Sequence, residues 1–116
     1  MMSSALIYKI LSVSSWQDAQ ESGAFSGAPV DIEDGYIHFS TAEQVRETAA
    51  KHFAGQSDLV LLAVDASRLE ASALKWEASR GGALFPHLYG TLDVKAVRWS
   101  KPLPWDGTRH TFPELA

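Results

Sequence analysis

Leu59-Val60-Leu61-Leu62-Ala63-Val64-Asp65 is the stretch whose reading decides the fold. Six apolar residues in a row, with no polar residue between them, suit a central strand buried on both faces, and Asp65 ends the run. Cover for those faces has to come from the segments around it. Just upstream, Ser40-Thr41-Ala42-Glu43 has the spacing of a capping box, and Ala42, Val45, Ala49 and Phe53 recur at helical intervals up to Gly55. A helix over about 41–54 is predicted.

Working outward, Gly35-Tyr36-Ile37-His38-Phe39-Ser40-Thr41 alternates polar and apolar side chains. An extended strand over Tyr36–Phe39 therefore sets Ile37 and Phe39 on one face and Tyr36, His38 and Ser40 on the other. Ala5–Ile10 reads as a first strand, with Leu6, Tyr8 and Ile10 facing one way and Ile7 and Lys9 the other. Ser14 or Ser15 is placed to cap a short helix through about Ser22, with Trp16 and Ala19 on one side and Gly23 as its stop. The Gly- and Pro-containing stretch Gly23–Asp34 is expected to be a loop. Downstream, Leu74–Glu77 and Ala96–Trp99 are expected as strands, the latter closed by Pro102 and Pro104. The tail beyond Trp105 pairs at an edge or stays irregular.

Strands with two early helices, and no regular βα alternation, predict an α+β domain with a split sheet, mixed or antiparallel. The 116 residues make one domain, with neither repeat nor linker. Zero cysteines remove disulfides, thiolate catalysis and thiolate zinc sites together. A net charge of -4, from 10 Lys plus Arg against 14 acids, disfavours nucleic acid as a partner. Met1–Ala5 does not open a signal peptide, and no apolar run approaches the roughly 20 residues that span a bilayer. A cytoplasmic protein without membrane contact is the expectation, and the oligomeric state is not legible. No glycine fingerprint joins a strand to a helix, and no Gly-x-Ser-x-Gly elbow is present.

His38 and His87 are the strongest candidates for chemistry. In Phe85-Pro86-His87-Leu88-Tyr89-Gly90, His87 and Tyr89 fall on a common side, Pro86 fixes the approach and Gly90 allows a sharp exit. Convergence of His87 and Tyr89 on His38 across neighbouring strands would make a polar pocket, and Glu77 is the best-placed carboxylate if its strand faces it. The competing reading is of buried, internally satisfied histidines. Ser40 is also a natural N-cap, and the helix start at Ser40 and Thr41 would suit an anion. His52 is expected to be exposed beside Lys51, and His110 carries little weight in the tail. Two histidines with Asp31, Asp34 or Glu77 would make a metal set only without a recognised ligand spacing, so no metal is expected.

Ile7-Tyr8-Lys9-Ile10, Gly35-Tyr36-Ile37-His38-Phe39-Ser40, Asp58 to Asp65 and Phe85-Pro86-His87-Leu88-Tyr89-Gly90, in that order, resemble the small bacterial domain-of-unknown-function family 952. The resemblance covers Ile7 to about Pro113. It implies an architecture similar to the ADP-ribosyltransferase superfamily, which binds NAD in the cleft of a split sheet. In the RNA 2′-phosphotransferase branch of that superfamily, Tyr-His-Gly and His-Leu-Ser look like Tyr8-Lys9 and His38-Phe39-Ser40 here. Lys9 departs from that pattern, because a histidine stands at its position both in that branch and in most of family 952. What the resemblance implies is a nucleotide ligand, with NAD as substrate. His38, His87 and Glu77 would be catalytic, and Tyr8, Lys9, Tyr36, Ser40, Thr41, Tyr89 and Gly90 would contact the ligand. His38 would meet the ribose or nicotinamide end, Tyr36 or Tyr89 would stack on a ring, Glu77 would orient a 2′-hydroxyl and stabilise a ribosyl cation, and Lys9 would pair with a phosphate. A non-catalytic nucleotide-binding or protein-interaction module is the alternative, and Lys9 favours it.

Overall fold

The computed structural model describes residues 6–79 and 82–115. Ala5, where the first strand was expected to begin, lies outside them. In chain order the elements are β1 (Leu6–Ser12), α1 (Val13–Ser22), β2 (Ala24–Phe25), α2 (Pro29–Asp34), β3 (Ile37–His38), α3 (Val45–His52), β4 (Leu59–Asp65), β5 (Leu74–Ala78), β6 (Leu84–Leu88), β7 (Leu92–Asp93) and β8 (Val97–Pro102). They form sheets of order β1-β4-β8, β3-β6-β5 and β2-β7. Every pairing is antiparallel, so the mixed alternative falls away and an α+β class stands.

As its sequence requires, β4 is the middle strand, and Leu61, Leu62, Ala63 and Val64 have 0% exposure. Its side chains divide by the period of two. Leu62 and Val64 join Ile7 and Leu11 of β1 and Trp16 and Ala19 of α1 in one core, which also takes Ile37, Phe39 and Leu88. Leu61 and Ala63 join Tyr8, Ile10, Val45, Ala49 and Leu103 in the other. The two larger sheets meet where Tyr8 and Ser40 exchange backbone hydrogen bonds of 2.7 and 2.9 Å. That bridge carries β3 alongside β1 and opens the cleft described below.

Several local expectations change. The cap of α1 is Ser12, whose hydroxyl accepts the Ser15 N–H at 3.1 Å, while Gly23 ends the helix at φ 94° as expected. The stretch Gly23–Asp34 is not a loop, since it carries β2 and α2, with Pro29 in the first turn where a missing N–H costs nothing. Among the described residues there are therefore three α-helices, not two, all before β4. The capping box of α3 sits one residue later than read: the Thr41 N–H donates to Gln44 Oε1 at 2.9 Å and the Gln44 N–H to Thr41 Oγ1 at 3.3 Å. The α-helix then begins at Val45. Ala96 belongs to the turn before β8, and Trp105 bridges His110, so the tail pairs with itself rather than with a sheet edge.

Pro86 stands within a central strand, where a residue lacking an N–H is normally excluded. Its carbonyl accepts the Phe39 N–H at 3.0 Å, so its donorless nitrogen faces the end of the two-residue β3 rather than β5. No helix among the described residues is long and apolar enough to cross a membrane. Leu62→Ala is expected to cost about 2–5 kcal/mol in urea unfolding, since a fully enclosed leucine between two packed layers leaves a cavity that cannot collapse.

Candidate functional site

Register puts the two histidines together. His38 of β3 pairs directly with His87 of β6, and their ring centroids are 5.5 Å apart. Opposed residues in an antiparallel pair share a face. Tyr36, Tyr89, Phe85 and Glu77 therefore fall on the same side, with Ile37, Phe39 and Leu88 turned into the core. The alternation read from Tyr36 to Ser40 is the alternation observed, and the strand carrying Glu77 does face this side.

His38 is gripped at both nitrogens. Nδ1 lies 2.6 Å from Asp31 Oδ1 and Nε2 lies 3.0 Å from Asp34 Oδ2. Asp31, 1% exposed, also accepts the backbone N–H groups of His38 and Ala28 at 3.1 and 2.8 Å and takes both of its oxygens to the Lys9 ammonium at 3.1 and 2.9 Å. Burial alone would raise its pKa, but the His38 hydrogen bond, the Lys9 charge and the Ala28 N–H together hold the carboxyl well below the usual carboxylate range. Burial lowers the pKa of Lys9, and the Asp31 charge opposes that shift. Lys9 is thus neutralised inside the protein, and a direct phosphate partnership for it would break a buried ion pair.

His87 is held differently. Its Nδ1 lies 2.7 Å from Glu77 Oε1, while Nε2 has no hydrogen-bond partner among the described residues. The Tyr89 hydroxyl donates to the same carboxylate at 2.8 and 3.1 Å. These bonds, from His87 first and Tyr89 second, lower the pKa of Glu77, and the bond to Glu77 raises that of the Tyr89 phenol. Tyr36 stacks on His87 with centroids 4.1 Å apart and planes 24° from parallel, and it touches Tyr89 at 5.1 Å. Burial, then Asp34 and Glu77, raise the Tyr36 pKa.

A cleft of about 480 Å³ opens between this face, β1 and α3, and both histidines line it. Tyr8, Lys9 and Ser40 also line it, as do Asp34, which the sequence offered only as a metal ligand, and Thr48 and Phe53, which it did not single out for it. The Ser40 hydroxyl lies 2.9 Å from Thr48 Oγ1, so it ties β3 to α3 and caps nothing. Thr41 spends its N–H and hydroxyl on Gln44, which removes the expected anion cradle at that helix start. Gly90 is exposed just beyond β6, and its backbone lies outside the left-handed region. His52 is exposed at the cleft rim, as expected, whereas His110 is buried and holds the Gln56 carbonyl at 2.9 Å. No three His, Asp or Glu side chains among the described residues are grouped to hold a metal ion. Asp31 and Asp34 approach His38 at opposite ring nitrogens and so do not converge with it on one point.

The sequence matches the family described as Protein of unknown function (DUF952) over residues 10–100. The chain belongs to that family. The crystal structure of protein CC0527 from Caulobacter crescentus is similar at 53% identity, with a TM-score of 0.87 over 91% of this chain and 93% of that one. The solution structure of CC0527 is similar at 56% identity and a TM-score of 0.78, over 88% and 87% of the two chains. No curated protein matches.

The carboxylate that sequence reasoning undervalued is Asp31. Its only signal was a lysine in a strand with an apolar neighbour on each side. Asp31→Ala is expected to cost about 3–5 kcal/mol in urea unfolding, because it leaves the Lys9 ammonium buried without its counter-charge. A depressed carboxyl contributes stability in full above its unfolded value of about 4, and loses it as pH falls toward its folded value. The gap between the parent protein and Asp31→Asn should therefore narrow as urea midpoints are followed from about pH 7 down to about pH 2.

Proposed function

We propose that this DUF952 chain is an ADP-ribosyltransferase-like domain that binds NAD or a related nucleotide in the histidine cleft. The observation that carries this reading is the pairing of His38 with His87 on one polar, ring-rich face beside a cleft large enough for a nucleotide portion. Preformed clefts of about 300–1,000 Å³ with apolar walls and a few fixed polar groups are the usual form of small-molecule sites. Here Phe53 and Phe85 supply wall, and His38 and His87 supply oriented hydrogen-bonding groups.

Glu77 does not line the cleft itself, and as the carboxylate behind His87 it would favour a ribosyl cation by its charge rather than by contact. In transfer from NAD, the bond from the ribose carbon to the nicotinamide nitrogen breaks, its electron pair leaves with nicotinamide, and the nucleophile of a protein or small-molecule acceptor bonds to the same carbon. Positioning and a fixed negative charge serve that step better than a strong base. Glu77, kept ionised by His87 and Tyr89, has that charge. A non-catalytic binding module is favoured by Lys9, which the fold commits to Asp31 where the resemblance implies a ligand-facing histidine.

Thermal unfolding with and without millimolar NAD or ADP-ribose tests the reading. At about 100 times its dissociation constant the ligand adds about 2.7 kcal/mol, a rise of several degrees for a domain of this size. The rise is expected to vanish in His38→Ala and His87→Ala. Nicotinamide release above buffer background marks the transferase, and binding without release marks the non-catalytic module. No rise with either nucleotide defeats both.

A further inference from the structure

The two histidines differ in what surrounds them, and that difference assigns them different work. Both nitrogens of His38 face carboxylates, Asp31 and Asp34 of α2, and an ionised carboxylate only accepts. A ring can donate from both nitrogens only as the imidazolium. His87 donates from Nδ1 to Glu77 of β5, which leaves the Nε2 lone pair without a partner among the described residues, in a residue 3% exposed at the cleft wall. Groups facing the pair from elsewhere are Lys9 of β1, which reaches His38 only through Asp31, and Lys75, opposite His87 in register but exposed. Tyr36 lies against both rings, and His52 of α3 stands at the rim.

We infer that His38 and His87 form a general acid and general base pair, and that the cleft hydrolyses a nucleotide phosphodiester whose departing oxygen needs a proton, the class typified by a nucleoside 2′,3′-cyclic phosphate. Departure of nicotinamide as a neutral base needs no proton delivered to it, so an acid held beside a base is better matched to an alkoxide leaving group. Water is the co-reactant. His87 Nε2 takes a proton from water as its oxygen bonds to phosphorus. The bond from phosphorus to the 2′-oxygen breaks, its electron pair stays on that oxygen, and His38 Nε2 delivers the proton that Asp34 otherwise receives. The product is a nucleoside 3′-monophosphate, and solvent exchange returns His87 to neutral and His38 to imidazolium. Asp34 is exposed at the end of α2, next to Gly35 at φ 89°, so a substrate oxygen can take its place on His38. The charge of His38 then faces the single negative charge of the diester.

This step takes its substrate class from the nucleotide reading above, whereas the assignment of acid and base stands on the hydrogen bonds alone. Long-range proton–nitrogen correlation spectra of the imidazoles, recorded on the ligand-free protein near neutral pH, read the assignment directly. The expected spectrum has His38 protonated at both nitrogens and His87 at Nδ1 only, with Asp34→Asn returning His38 toward a neutral ring. Identical states for the two rings overturn the pair. Hydrolysis of adenosine 2′,3′-cyclic phosphate is expected to fall by about 10²–10⁴-fold in His87→Ala and in His38→Ala. Glu77→Gln, which keeps an acceptor for His87 Nδ1 but removes its charge, should lower hydrolysis without abolishing binding. Binding of nucleotides without any hydrolysis overturns this inference and leaves the nucleotide reading intact, whereas absence of binding to NAD, ADP-ribose and the cyclic phosphate overturns both.

Discussion

The buried polar network that joins β1, α2 and β3 is organised around the Asp31 carboxylate. It lies at 1% exposure and accepts from Lys9 on β1, from Ala28 at the start of its own helix, and from both the backbone and the ring of His38 on β3. A carboxylate with so many donors stays ionised in the interior, and its desolvation is offset only while all of them are present. Strand β1 is thereby fixed to the same point as α2 and β3, from 22 residues away in sequence. Lys9 could not stand in the middle of β1, with apolar neighbours on both sides, without it.

That arrangement separates two tasks carried by one small set of strands. The inward faces of β3 and β6 deliver Ile37, Phe39 and Leu88 to the same core as Leu62 and Val64 of β4. The outward faces then have no packing duty and can hold Tyr36, His38, His87 and Tyr89 against one another. The Tyr8 to Ser40 bridge and the Ser40 to Thr48 hydrogen bond close the gap between the sheets on the β1 and α3 sides. The cleft is what remains between them.

Much of this was legible in the sequence because it depends on periodicity. The unbroken apolar run at Leu59–Val64 suits a doubly covered strand, and the alternation at Tyr36–Ser40, in an extended chain, sorts its side chains to opposite faces. The convergence of His38, His87 and Glu77 followed from those faces once the strands were neighbours. What escaped was local competition between equivalent capping groups. Ser12, Ser14 and Ser15 all offer a hydroxyl, and only the backbone of β1 decides that Ser12 sits at the turn. Thr41 and Gln44 outcompete Ser40 and Glu43 in the same way, because Ser40 is already committed to Tyr8 and Thr48. Helix α2 was hidden because six residues flanked by Gly27 and Gly35 carry almost no helical periodicity, and its stability comes from Asp31 rather than from propensity.

The two ends of α2 are not equally bound, and this decides what the cleft can offer a ligand. Asp31 is locked from several directions, whereas Asp34 at the other end holds only the outer nitrogen of His38, in solvent. Replacing the Asp34 oxygen by a ligand oxygen exchanges one charge-assisted hydrogen bond for another, so the change in free energy is small, and the solvated carboxylate loses little. Exchange at Asp31 would instead strand a buried ammonium. His38 is therefore an imidazole whose inner nitrogen is a fixed structural post and whose outer nitrogen is available at low cost. Beside it, His87 has one nitrogen fixed by Glu77 and the other without a partner among the described residues. Two rings anchored from below and open toward the same space are a pre-organised pair, and the buried Asp31 under one and the Glu77 carboxylate, held also by Tyr89, under the other keep them so before any ligand arrives.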